Sequence, residues 1–138
     1  MEWIKDPYRI SDDKTELDLY YIVGALQESY WAVGRDEETV KQSIAGSVCL
    51  GLYTEGRQIG FARAVTDKCT FAWVCDVMVH ADYRRAGLGK WLTECLSEHP
   101  DIKDCNVHLL RTRDAHGLYE QFGYTVCEAM VRKPGADW

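Results

Sequence analysis

The chain has 138 residues, with 16 Lys and Arg against 22 Asp and Glu and a formal net charge of −6 at pH 7. That length suits one domain, residues 1–138, with enough chain for a real core, and the acidic balance argues against nucleic acid as a main partner. No targeting segment and no apolar run near the roughly 18 residues of a membrane span is apparent, so a cytoplasmic protein without membrane contact is expected.

A strand is expected near Trp3-Ile4-Lys5. The segment Thr15-Glu16-Leu17-Asp18 has capping-box spacing, and Leu19, Ile22, Val23, Leu26 and Tyr30 then form one apolar helical stripe. An aromatic loop, Tyr30 to Arg35, leads to a second helix from Asp36 as N-cap to about Ala45. Three strands follow, Ser47–Tyr53, Gln58–Val65 and Cys69–Val79, joined by turns too short for a helical crossover and therefore antiparallel. In the middle strand Ile59, Phe61, Arg63 and Val65 share one face, with Gly60, Ala62 and Ala64 on the other. From Gly87 to about Glu98, Leu88, Trp91, Leu92, Cys95 and Leu96 define the best-patterned helix, and Pro100 stops it. A strand over Asn106–Leu110, a short helix capped by Asp114 and closed by Gly123, and a final strand from Tyr124 to about Val131 complete the order ααβββαβαβ. Pro134 to Trp138 reads as a tail. Cys49, Cys69, Cys75, Cys95, Cys105 and Cys127 contain no C-x-x-C pair, so no metal site is expected and the thiols read as reduced, mostly core residues.

The most informative stretch is Arg84-Arg85-Ala86-Gly87-Leu88-Gly89, between an apolar strand and the best helix. Two glycines let the backbone approach a ligand, and the helix offers unpartnered amides and the positive end of its dipole. An anion belongs there, and Arg84, Arg85 and Lys90 add charge; the plainer alternative is a tight turn with a solvated basic rim. A P-loop would need Ser or Thr where Trp91 stands, and a dinucleotide fingerprint would need glycine in place of Leu92. Downstream, Leu118-Tyr119-Glu120-Gln121-Phe122-Gly123-Tyr124 ends the short helix. The Arg-x-x-Gly-x-Gly and Leu-Tyr-x-x-Phe-Gly-Tyr signatures, in this order, resemble those of the GCN5-related (GNAT) N-acetyltransferases. The resemblance is specific only over roughly residues 70 to 131.

That resemblance implies the acyl-CoA N-acyltransferase fold, an α/β sandwich with a mixed, mostly antiparallel sheet flanked by helices. It implies an N-acetyltransferase that uses acetyl-CoA (coenzyme A) and moves the acetyl group to a primary amine of a small molecule or peptide. The amine would attack directly in a ternary complex, and a homodimer would be in keeping with the family. Amides of Arg85, Ala86, Gly87, Leu88, Gly89 and Lys90 would hold the pyrophosphate, with Arg84 serving the phosphates or bracing the loop. Val77, Met78 and Val79 would flank the acetyl group, with a β-bulge within Asp76 to Val79 freeing an amide for the carbonyl oxygen. Asp114 and Gly117 would flank the pantetheine arm. Tyr119 matches the family tyrosine at the coenzyme sulfur and would protonate the leaving thiolate. Asp76, a lone carboxylate in an apolar strand, is either a general base or a structural carboxylate capping loop amides. Tyr30, Trp31, Arg35, Arg63 and Trp73 are candidates for the acceptor pocket, where Arg35 could pair with a carboxylate; Trp31 and Trp73 could equally be core. Two other classes stay open: a non-catalytic acyl-CoA-binding module, and a thiol acyltransferase using a cysteine such as Cys75.

Overall fold

The computed structural model describes residues 1–133. Helix α1 (Leu19–Gln27) starts where the Asp18 side chain accepts the Tyr21 amide at 3.1 Å, and α2 (Glu37–Ala45) where Asp36 accepts that of Thr39 at 2.8 Å. Each aspartate satisfies an amide that the first turn would leave orphaned. The capping-box spacing at Thr15 misplaces the start: residues Lys14–Glu16 form a single 3-10 turn capped by Asp13, and Leu17 is extended. Tyr30 lies beyond the end of α1, in the loop leading to α2.

Six strands form one sheet in chain order: β1 (Glu2–Lys5), β2 (Tyr8–Ser11), β3 (Val48–Thr54), β4 (Arg57–Thr66), β5 (Phe71–Val79) and β6 (Val107–Leu110). Neighbours from β1 to β5 run antiparallel, and β6 lies parallel to β5. The parallel pair needs a crossover, which α3 (Leu88–Glu98) supplies. Strand β2 escaped the sequence reading, because four residues interrupted by Arg9 carry little pattern. Helix α3 buries Leu88, Trp91, Leu92, Cys95 and Leu96 on one face of the sheet, as its stripe predicts. On the other face α1 and α2 bury Ile22, Leu26 and Val40 against Cys49, Phe61 and Met78. No helix among the described residues is long and apolar enough to cross a membrane.

Two bulges break the alternation. Between β3 and β4 the register steps from Leu52↔Gly60 to Tyr53↔Gln58, leaving Ile59 as an extra residue on β4. Ile59 therefore leaves the face predicted for it beside Phe61 and packs in the α3-side core with Ala62 and Ala64. Between β4 and β5 the pairs Phe61↔Met78 and Arg63↔Cys75 set two residues, Asp76 and Val77, opposite Ala62. Ala72 and Val74 face α3 before this bulge and Val77 and Val79 after it, whereas Met78 joins the core under α1 and α2.

The chain closes with α4 (His116–Glu120), whose N-cap is Ala115 and not Asp114; Thr112 Oγ1 accepts the Ala115 amide at 2.9 Å. Gly123 follows with a left-handed φ of 85°, as the helix stop requires. The strand expected over Tyr124–Val131 does not form: residues 124–133 carry no regular structure, and Val126, Met130 and Val131 are exposed. Period-two alternation names a face but not a partner, and β6 is only four residues long. The predicted tail from Pro134 lies outside the described residues.

Candidate active site

The β5 bulge sits at the wall of a cleft of about 700 Å³. The loop between α1 and α2 brings Tyr30, Trp31 and Arg35 to it, and β4 brings Arg63. Trp73 to Val79 line it from β5, Arg84 and Gly89 from the α3 approach, and Asp114 and Tyr119 from the opposite rim. All five residues expected to form the acceptor pocket therefore meet in one place.

Asp76 organises them. Its backbone φ is 52°, a left-handed conformation unusual for a non-glycine residue in a strand, and its side chain is only 2% exposed. Oδ1 accepts from Trp31 Nε1 at 2.9 Å. Oδ2 accepts from Arg35 Nη1 at 2.9 Å and from Arg63 Nε at 2.7 Å. Arg63 Nη1 also donates to Ser47 Oγ at 3.1 Å. Burial alone would lower the Arg63 pKa, and the Asp76 carboxylate outweighs it, so the guanidinium titrates above its ordinary value. The carboxylate is thus committed to three side-chain donors. Among the described residues it caps no loop amide.

Tyr119 reaches the cleft with its hydroxyl pKa pushed up to about 12, mainly by burial, so at neutral pH the phenol holds a proton it can donate. Its ring meets Tyr124 edge-on at 5.8 Å. Cys75 also lines the cleft, but burial pushes its thiol up, against the partial opposition of Arg63. That disfavours the thiolate a nucleophilic cysteine needs. The Tyr30 hydroxyl donates to Asp114 Oδ1 at 3.4 Å and accepts the Arg113 amide at 3.3 Å, tying the α1–α2 loop to the loop after β6.

At the α3 approach Arg85 and Gly87 both have left-handed φ, 70° and 75°. Left-handed residues in such a turn help converge successive amides into an anion-binding concavity. A Cβ built on Gly87 would meet nothing within 4 Å, and one on Gly89 only Val79 Cγ2 at 3.9 Å. Neither glycine is there to admit a neighbouring part of the chain. The backbone at the start of α3 is thus left open on its ligand-facing side, which is what a phosphate group on the first amides of a helix would need. Arg84 braces the loop, its Nε donating to the Val79 carbonyl at 3.1 Å.

Of the residues expected at the cosubstrate, Val77, Met78, Val79, Arg84, Gly89, Asp114 and Tyr119 line the cleft. Arg85, Ala86, Gly87, Leu88, Lys90 and Gly117 do not; the Leu88 side chain is 5% exposed and belongs to the core, leaving only its amide for a ligand. Glu28, Arg111 and Lys133 line the cleft and were missed. No motif marks them: Glu28 and Arg111 sit just past α1 and β6, where the pattern has ended, and Lys133 lies in a stretch without regular structure. Of the three carboxylates that line the cleft, Asp76 and Asp114 accept hydrogen bonds and Glu28, among the described residues, does not.

Residues 45–126 match the model of the acetyltransferase (GNAT) domain. A crystal structure from Xanthomonas campestris pv. campestris, described as an acetyltransferase of the GNAT family, superposes with a TM-score of 0.88 at 34% identity, covering 91% of this chain and 92% of that one. A protein of Gibberella zeae bearing an acetyltransferase name is 26% identical over 97% of this chain and 94% of its own length. An uncharacterized N-acetyltransferase of Gracilaria tenuistipitata var. liui is 31% identical over 72% of this chain and 58% of its own.

Proposed function

Because the chain belongs to the GNAT family of acetyltransferases, we propose that it is an acetyl-CoA-dependent N-acetyltransferase acting on a primary amine of a small molecule or peptide. The observation that carries this reading is the convergence, on one cleft, of the β5 bulge, the glycine-bearing start of α3 and the protonated Tyr119.

When bound, acetyl-CoA supplies a thioester already activated for transfer. Amides from Arg85 to Lys90, with the α3 dipole, would hold its pyrophosphate. The bulge at Asp76 and Val77 interrupts the β4–β5 ladder, so an amide beside it is free to donate to the carbonyl oxygen as negative charge develops there. Tyr119 donates its proton to the departing sulfur. We assign Asp76 a positioning role, since its oxygens already serve Trp31, Arg35 and Arg63. Glu28, the cleft carboxylate without a partner, is the better proton acceptor for the incoming amine. Amine and thioester would meet in a ternary complex, because the one cysteine on the cleft is held as a thiol.

The test is release of free coenzyme A thiol from acetyl-CoA with a broad panel of amines. Tyr119→Phe should lower kcat on the order of a hundredfold while acetyl-CoA still raises the melting midpoint. The acid is active below its pKa, so with a value of about 12 the wild-type rate should show no fall from Tyr119 ionisation between pH 7 and roughly 10. The reading fails if no amine is acetylated, or if Tyr119→Phe turns over at the wild-type rate.

A further inference from the structure

Resting on the acetyltransferase reading above, we propose that the acceptor carries an anion alongside its amine, and that Arg35 is the residue that receives it. The floor of the cleft joins two guanidiniums to one carboxylate, Arg35 and Arg63 to Asp76. Asp76 neutralises one of the two positive charges. A surplus of one remains at a place where every partner is largely withdrawn from water.

The two arginines are not equivalent. Arg63 is 11% exposed and spends Nε on Asp76 and Nη1 on Ser47. Arg35 is 23% exposed, lines the cleft and gives Asp76 a single hydrogen bond from Nη1. Among the described residues its Nε and Nη2 donors have no partner. A guanidinium offers five donors in a planar fork matched to a carboxylate or a phosphate, and here one tine of the fork is spent on Asp76.

The neighbours fix this arrangement. Trp31 is locked to the other oxygen of Asp76, and Tyr30 meets Trp31 edge-on at 5.0 Å, which stiffens the loop that carries Arg35. Asp76 holds a strained left-handed φ of 52°, and such strain persists only where the surroundings over-determine it. Because Asp76 is itself the bulge residue, the guanidinium it anchors lies beside the amide proposed to receive the carbonyl oxygen. A short acceptor could therefore set its amine at the bulge and its anion on Arg35. A diamine would instead bring a second cation against the surplus charge.

The experiment compares matched primary amines at saturating acetyl-CoA: an amino acid with its amide, an amino-sugar phosphate with the free amino sugar, and an aliphatic diamine. One anionic member should exceed its neutral counterpart in kcat/KM by about tenfold or more, the worth of a charge-assisted pair; which pair shows the gap separates carboxylate from phosphate. Arg35→Ala should close the gap mainly through KM, and Arg35→Lys should restore part of it, with the acetyl-CoA-induced melting shift retained in both. Acetylation of neutral amines or the diamine as readily as the anionic ones would overturn the inference and leave the acetyltransferase reading standing. A gap that survives Arg35→Ala would overturn the assignment to Arg35. Transfer to none of them, with no melting shift from acetyl-CoA, would sink both.

Discussion

Asp76 combines two costs that strands normally avoid, a left-handed backbone and a buried charge. The first is worth about 1–3 kcal/mol, and the second is offset only by its donors. The two can be separated. Asn tolerates the left-handed region nearly as well as Asp, so Asp76→Asn keeps the backbone and removes the charge between Arg35 and Arg63. Asp76→Gly removes the same charge and relieves the backbone as well. If the ion cluster dominates, both variants should lose about 3 kcal/mol or more of stability in urea unfolding. A glycine variant more stable than wild type would show that backbone strain dominates, and one level with wild type, with asparagine well below it, that the two balance. The sequence betrays Asp76 as an interruption in an apolar run, but not what it holds. Its donors lie 45, 41 and 13 residues away, a separation that no local pattern spans.

Helix α3 was readable because several independent signals agree on it. Its stripe, its glycine start and its Pro100 stop coincide with the observed bounds. The two glycines at its start make different demands. Gly87 stands at φ 75°, where alanine should cost roughly 1–2 kcal/mol. Gly89 lies within the helix with open space at its Cβ position, where alanine should gain up to about 1 kcal/mol. In the cosubstrate-free protein Gly87→Ala should therefore melt lower than wild type and Gly89→Ala higher. Both should show a smaller melting shift with acetyl-CoA, since each adds a methyl group before the amides. A full shift in Gly89→Ala would remove this helix start from cosubstrate binding. The strand predicted over Tyr124–Val131 is the contrary case, where one signal stood alone. A helix stabilises its backbone within itself, whereas a strand needs an edge that its own residues do not encode.

At the scale of the molecule, the order of elements and the antiparallel run from β3 to β5 were legible, because short turns leave few topologies open. The substrate end was not, since it is built where the α1–α2 loop, β4 and β5 converge. The bulge in β5 has a consequence for that division between scaffold and site. Ala72 and Val74 face α3 before it, and Val77 and Val79 after it. Removing Asp76 would bring the strand back into phase, with Val74, Val77 and Val79 on alternate positions and Met78 between them still turned to the other core. The Asp76 deletion should thus give a folded protein with a cooperative melt, as followed by circular dichroism, and no acetyl transfer. In β5 the proposed site occupies a frameshift in the pleat, an insertion that the core can lose without rearranging and the proposed chemistry cannot.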